Sequence, residues 1–114
     1  MSSNYRIEFH DFGELPPLVR ELHASGELID ISYHNDAMPS FVLPDAFAII
    51  DREGSAENVP VLWVDYADDA KREEPGNPRF CVSITITRQS FQTDDEAQAI
   101  AHLRSIVKIE EGAQ

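Results

Sequence analysis

Two short stretches of the chain pair an imidazole with a carboxylate: His10-Asp11 and His34-Asn35-Asp36. Each follows a run that alternates apolar and polar residues as a strand does. If the helix between them is a crossover joining parallel neighbours, both pairs reach the same sheet edge. Two imidazoles and two carboxylates there could hold zinc or run acid–base chemistry. The spacing argues against this, because neither pair belongs to a ligand pattern such as H-E-x-x-H. Histidine and aspartate are also common where strands end. Surface histidines are the expected reading, a small metal-dependent enzyme is the alternative, and neither a metal nor a cofactor is expected. His23 and His102 flank helical stripes and read as half-exposed helix residues.

Residues 64–80, VDYADDAKREEPGNPRF, hold five acids, three bases and two prolines between two apolar runs. A calcium loop needs a glycine at its sixth position and a bidentate glutamate at its twelfth. Counted from Asp65, those positions are Ala70 and Gly76, so the pattern fails at both. Pro75-Gly76 and Asn77-Pro78 are turn dipeptides. The stretch reads as a long solvated hairpin connection, with a recognition loop as the alternative.

Nucleophile patterns are equally thin. Cys81 has only Arg79 as a close cationic neighbour in sequence and no nearby histidine, so nothing activates its thiol. Ser83 and Ser90 lack a G-x-S-x-G context, and the five glycines are scattered rather than gathered into a phosphate loop. Trp63 sits inside an apolar run and is expected in the core.

The charge is the unusual property. Nine basic and twenty-one acidic residues give the 114-residue chain a net charge of −12. Such a chain repels nucleic-acid backbones and anionic lipid, and its field favours basic protein partners. Residues 1–6 lack the basic-then-apolar pattern of a signal peptide, and the apolar runs fall far short of the about 20 residues of a membrane helix. One cysteine cannot form an internal disulfide. A cytoplasmic location is the expectation. With 42% apolar residues the chain should fold as one domain over 1–114.

The elements that would position these residues follow from periodicity. YRIEFH (5–10) alternates strictly and predicts a strand. Leu15, Leu18, Val19 and Leu22 predict a helix over 15–24, with Pro16 and Pro17 in its first turn and Gly26 as its stop. LIDISYH (28–34) predicts a second strand. FVL (41–43) stops at Pro44 and reads at most as a short edge strand. FAIID (47–51) and VPVLWVDY (59–66) flank turn residues and read as a hairpin. RFCVSITITR (79–88) is the cleanest strand, with Phe80, Val82, Ile84 and Ile86 inward and Cys81, Ser83, Thr85 and Thr87 outward. TDDE (93–96) fits a capping box with Thr93 as the cap, opening a helix over 94–109 whose stripe includes Ile100, Leu103 and Ile106.

The order β-α-β-(β)-β-β-β-α predicts an α+β fold. It is an antiparallel meander of about five strands with two helices packed on one face. Successive connections of a meander alternate between its ends. The 52–58 turn and the 88–94 connection would then share one end, and the 66–78 loop would occupy the other. That collects Asp51, Glu53, Glu57, Asp94, Asp95 and Glu96 into an acidic pole, the expected partner surface. In size and acidity the chain resembles the small acidic proteins of bacteria and their phages, some of which block nucleic-acid-handling proteins by mimicking phosphate. The expectation is a non-enzymatic, acidic protein-binding or regulatory module with a basic protein partner. It would make no direct nucleic-acid or membrane contact. A structural protein that self-associates, for instance as a homodimer, through its open sheet face is a further alternative.

Overall fold

In the computed structural model the described residues are 4–33, 36 and 38–112; His34 and Asn35, on which part of the histidine reading rests, lie outside them. The chain runs α1 (Asn4–Glu8), α2 (Pro17–Ser25), β1 (Ile29–Asp30), β2 (Ser40–Val42), α3 (Pro44–Glu53), β3 (Val61–Val64), a 3-10 turn (Asp69–Lys71), β4 (Phe80–Ile84), β5 (Gln89–Thr93) and α4 (Glu96–Gly112). The five strands lie side by side in chain order, every neighbour antiparallel. This is the α+β meander expected. No helix among the described residues is long and apolar enough to cross a membrane.

One face of the sheet presents Phe41, Leu62, Val64, Phe80 and Val82. Against it pack Val19 and Leu22 of α2 and Ala99, Ile100 and Leu103 of α4, the two helices expected there. Tyr5, Phe9, Phe12 and Leu15 extend the same cluster. The spacing predicts Thr93 as the cap of α4, but Thr93 ends β5 and Asp95 takes that place. Its Oδ1 accepts the Gln98 N–H at 3.1 Å. Glu96 reaches across to α2 instead, where its Oε2 accepts the Val19 N–H at 2.7 Å. That satisfies a first-turn donor that Pro16 cannot.

Four local expectations are corrected. Residues 5–10 begin as helix α1, not strand. Tyr5 and Phe9 are both buried, while Ile7 is 67% exposed. An alternating run also contains an i, i+4 pair, and that pair is the one buried here. Residues 47–51 lie in α3, so no hairpin joins them to β3. Pro44 occupies the first turn of that helix, and Gly54 closes it in the left-handed region (φ +77°) with its N–H on the Ile50 carbonyl at 2.7 Å. The apolar side of α3 rests on Val42, Val61 and Trp63, covering part of the opposite sheet face. Third, β2 is not an edge strand, since β1 and β3 flank it. Fourth, the strand expected over 79–88 ends at Ile84. Residues 85–88 turn back, with Arg88 at φ +61° and its N–H on the Thr85 carbonyl at 3.2 Å. Ile86 is consequently 61% exposed rather than in the core.

Candidate functional site

The segment after β3 is built around two side chains. Asp65 is buried at 2% exposure. Its Oδ1 accepts the Tyr66 N–H at 2.8 Å, its Oδ2 accepts the Glu73 N–H at 3.4 Å, and its carbonyl accepts Arg79 Nε at 3.1 Å. Arg72, with a side chain only 14% exposed, fills the middle of the loop. It donates to the carbonyls of Tyr66 at 2.8 Å, Asn77 at 2.6 Å and Ala67 at 3.4 Å. The same guanidinium lies 3.6 Å from Asp69 and 3.8 Å from Asp94. Asp68 caps the 3-10 turn through Ala70 N–H at 3.0 Å, and Asp69 accepts the Gly76 N–H at 2.7 Å. The stretch is thus a folded loop with an internal cation, not only a solvated turn. The Asp68 bond to the residue two along is the Asx chemistry that sequence can show. The role of Arg72 has no local signature, because its acceptors are carbonyls on both sides of the loop.

Register decides which acids share this end. Val61 is opposite Ser83 and Ile84 is opposite Gln89, whereas Val64 is opposite Phe80 and Phe80 opposite Thr93. The 65–79 loop, the end of β5 and the start of α4 therefore meet at one end. Residues 54–60 and 85–88 meet at the other, where the Ile86 N–H binds the Glu57 carbonyl at 3.0 Å. The acidic pole expected from the sequence does not assemble. Asp94, Asp95 and Glu96 stand at the loop end, and Glu57 stands at the opposite end, beyond α3 with its Asp51 and Glu53. The cause is β5: an extra strand carries the chain back across the sheet before α4 begins. A strand of this length spans about 17 Å. Glu53 is further tied to Asn58 Nδ2 at 3.2 Å.

At the loop end Asp68, Asp69, Glu73, Glu74, Asp94 and Asp95 are all exposed, together with Lys71. Asp11 joins them by accepting the Tyr66 hydroxyl at 2.9 Å. Burial, and then the Asp11 carboxylate that accepts this bond, push the Tyr66 phenol up to about 12. Burial lowers the Arg79 pKa, and neighbouring Arg72 adds to the effect.

Between this loop and α3 the second sheet face is uncovered. A concavity of about 340 Å³ lies there, floored by Trp63, Cys81, Ser83 and Gln92 and walled by Met38 and Arg79. Trp63 Nε1 donates to Ser83 Oγ at 2.9 Å, so the tryptophan packs against α3 while its polar edge faces the concavity. Cys81 is half-buried, and burial pushes its thiol up despite hydrogen bonds from Gln92 and the Phe91 backbone. That is the reverse of an activated nucleophile. His10 is exposed in the turn after α1, and Asp36 lies on the concavity rim. His23 stands edge-on to Tyr5 and Phe41, and His102 stacks on Phe91 at 4.2 Å. Among the described residues no three His, Cys, Asp or Glu side chains are grouped to hold a metal ion. Neither a family model, nor a curated protein, nor a solved structure matches this chain.

Proposed function

We propose that the chain is a non-enzymatic, acidic protein-binding module that presents its loop end to a basic segment of a nucleic-acid-handling protein. One observation carries this reading. Seven exposed carboxylates, Asp11 included, crowd the loop end, and of the three cations among them Arg72 and Arg79 are turned into the loop, leaving Lys71 at the surface. Arg72 lies against Asp69 and Asp94 from inside the loop, so Asp68, Glu73, Glu74 and Asp95 face outward with Lys71 as the exposed cation among them, and the outer surface keeps a net negative field. Such a field speeds encounter with a basic partner at low salt. The loop is held by its own hydrogen bonds, so little ordering is needed on binding. Asp51, Glu53 and Glu57 form a second, separate acidic surface in this reading, and it serves as the internal control.

The test is binding of an arginine-rich peptide, measured by titration at low and moderate salt. Asp68→Lys/Glu73→Lys/Glu74→Lys should weaken it at least tenfold and flatten its salt dependence. Asp51→Lys/Glu53→Lys/Glu57→Lys changes the net charge equally and should have a much smaller effect. Equal losses in the two variants would mean that net charge alone attracts the peptide, and the loop end would lose its claim.

A further inference from the structure

The outer edge of β5 pairs with no strand among the described residues. Its sequence, Gln89-Ser90-Phe91-Gln92-Thr93, carries no charge and no proline. Edges are ordinarily protected by charges, proline, a bulge or brevity, and two-residue β1 on the other side of the sheet uses brevity. β5 has none of these devices and offers a full-length edge.

Register fixes which backbone groups face outward. The Asp65 N–H binds the Arg79 carbonyl at 2.7 Å, so that carbonyl points at β3. Backbone groups alternate sides along a strand. Cys81 and Ser83 therefore exchange bonds with β3, and Phe80, Val82 and Ile84 with β5. Their partners on β5 are Thr93, Phe91 and Gln89. The N–H and C=O groups of Ser90 and Gln92 are left pointing away from the sheet.

We propose that this edge pairs antiparallel with the same edge of a second copy, about a two-fold axis at Phe91. Ser90 of each copy then faces Gln92 of the other, and the two pairs exchange about four N–H···O bonds. The flanking charges select this register. Continued one residue past each end of β5, the two-fold brings Arg88 of each copy, in the 85–88 turn, near Asp94 of the other. Arg88 is exposed and joins no ion pair among the described residues. Asp94 keeps 74% of its side chain exposed, although its Oδ1 accepts the Arg79 N–H at 2.9 Å and lies 3.8 Å from Arg72. An axis through Ser90 or Gln92 would also match outward groups, but it would leave Arg88 without Asp94 opposite. The antiparallel sense also lays each copy's acidic loop end beside the other's Arg88 end. That matters for a chain of net charge −12. A foreign strand satisfies the backbone groups alone; a second copy also gives Arg88 a carboxylate partner. Five residues of edge fall well short of the about 1,200 Å² of a standard interface, so the dimer forms only at raised concentration.

Sedimentation velocity on the full chain over a concentration series tests this. A monomer-to-dimer shift is expected, with the Ser90 and Gln92 amides slowing in hydrogen exchange as dimer accumulates. Arg88→Glu sets carboxylates against each other and should weaken association at least tenfold. Gln92→Pro removes an outward N–H and no backbone bond to β4, losing there only the side-chain bond to Cys81, and should abolish the dimer with the monomer's circular dichroism unchanged. A chain that stays monomeric at every concentration overturns the proposal. So does a dimer that survives Arg88→Glu unweakened, or one in which those two amides exchange as fast as in the monomer.

Discussion

The two faces of the sheet are built to different depths. One carries α1, α2 and α4 over a continuous cluster from Tyr5 to Leu103, with Val19, Phe41, Leu62, Val64 and Leu103 fully enclosed. The other carries α3 over one half only, and its cluster holds just Val42, Ala46, Val59 and Val61 as buried members. Beyond α3 that face turns polar, with Ser83, Cys81 and Gln92 where the first face has Phe80, Val82 and Phe91. A strand with alternating side chains must offer something to both sides. The first side here stabilises the fold, and the second keeps a wet, polar half beside the acidic loop.

The sharpest way to break this comparison is to remove methyl groups from each side. Leu103→Ala on the deep face should cost about 2–5 kcal/mol, as truncation of a fully enclosed leucine does. Val61→Ala on the shallow face should cost on the order of 1–2 kcal/mol, because it loses two carbons beside a cluster that is only partly enclosed. Denaturant melts measure both. If Val61→Ala cost as much as Leu103→Ala, the second face would be a full core layer and the contrast would fail.

A smaller effect is expected at the loop. Arg72→Ala leaves three carbonyls without their donor and Asp69 and Asp94 without their cation. Water can reach part of this site, so the cost should be about 1–2 kcal/mol, below that of the deep core. The loss should be local, seen as faster proteolysis and hydrogen exchange within residues 66–78 while the sheet amides stay protected. Arg72→Lys should rescue little, because a single ammonium cannot span the carbonyls that the guanidinium fork reaches. Full rescue by lysine would show that charge, not geometry, orders the loop.

What the sequence made legible divides along similar lines. The α+β meander, helices α2 and α4, and the inward set Phe80, Val82 and Ile84 were all readable, because each rests on a period, a proline or a glycine. Two helices read as strands failed where a short apolar run fits both templates. In 47–51 the deciding signals, Pro44 and Gly54, are the same pair that marks α2 with Pro17 and Gly26. The missing β5 had a larger consequence. Its turn is made by Arg88 at φ +61° rather than by glycine or asparagine, so nothing at 85–88 announces a reversal. One unread turn moved Asp94, Asp95 and Glu96 to the far end of the sheet and dissolved the expected acidic pole. The loop-end site depended on long-range partners, Arg72 with Asp94 and Tyr66 with Asp11, which spacing along the chain does not encode.

The smallest effect tests the shallow face itself, through Cys81. Its side chain sits on the floor of the uncovered half, yet burial pushes its thiol up, and hydrogen bonds from Gln92 and the Phe91 backbone offset only part of that. A thiol raised in the folded state is neutral at pH 8, and the thiolate is the reacting form. Alkylation by iodoacetamide at pH 8 should therefore be slower in the folded chain than in the same chain unfolded in denaturant. The rate should climb with pH to a midpoint above the ordinary thiol range. The sign for stability follows. The unfolded chain loses this proton first, so the small stabilisation is complete below the ordinary thiol pKa and fades as pH rises through the folded value. Gln92→Ala removes a donor that favours the thiolate and should move the midpoint higher still, with no change in the melt at neutral pH. A folded chain that reacts as fast as the unfolded one, with its midpoint at or below the ordinary value, would mean that this half of the face is solvated like open surface. The distinction between an enclosed face and a merely recessed one would then have to be redrawn around α3 alone.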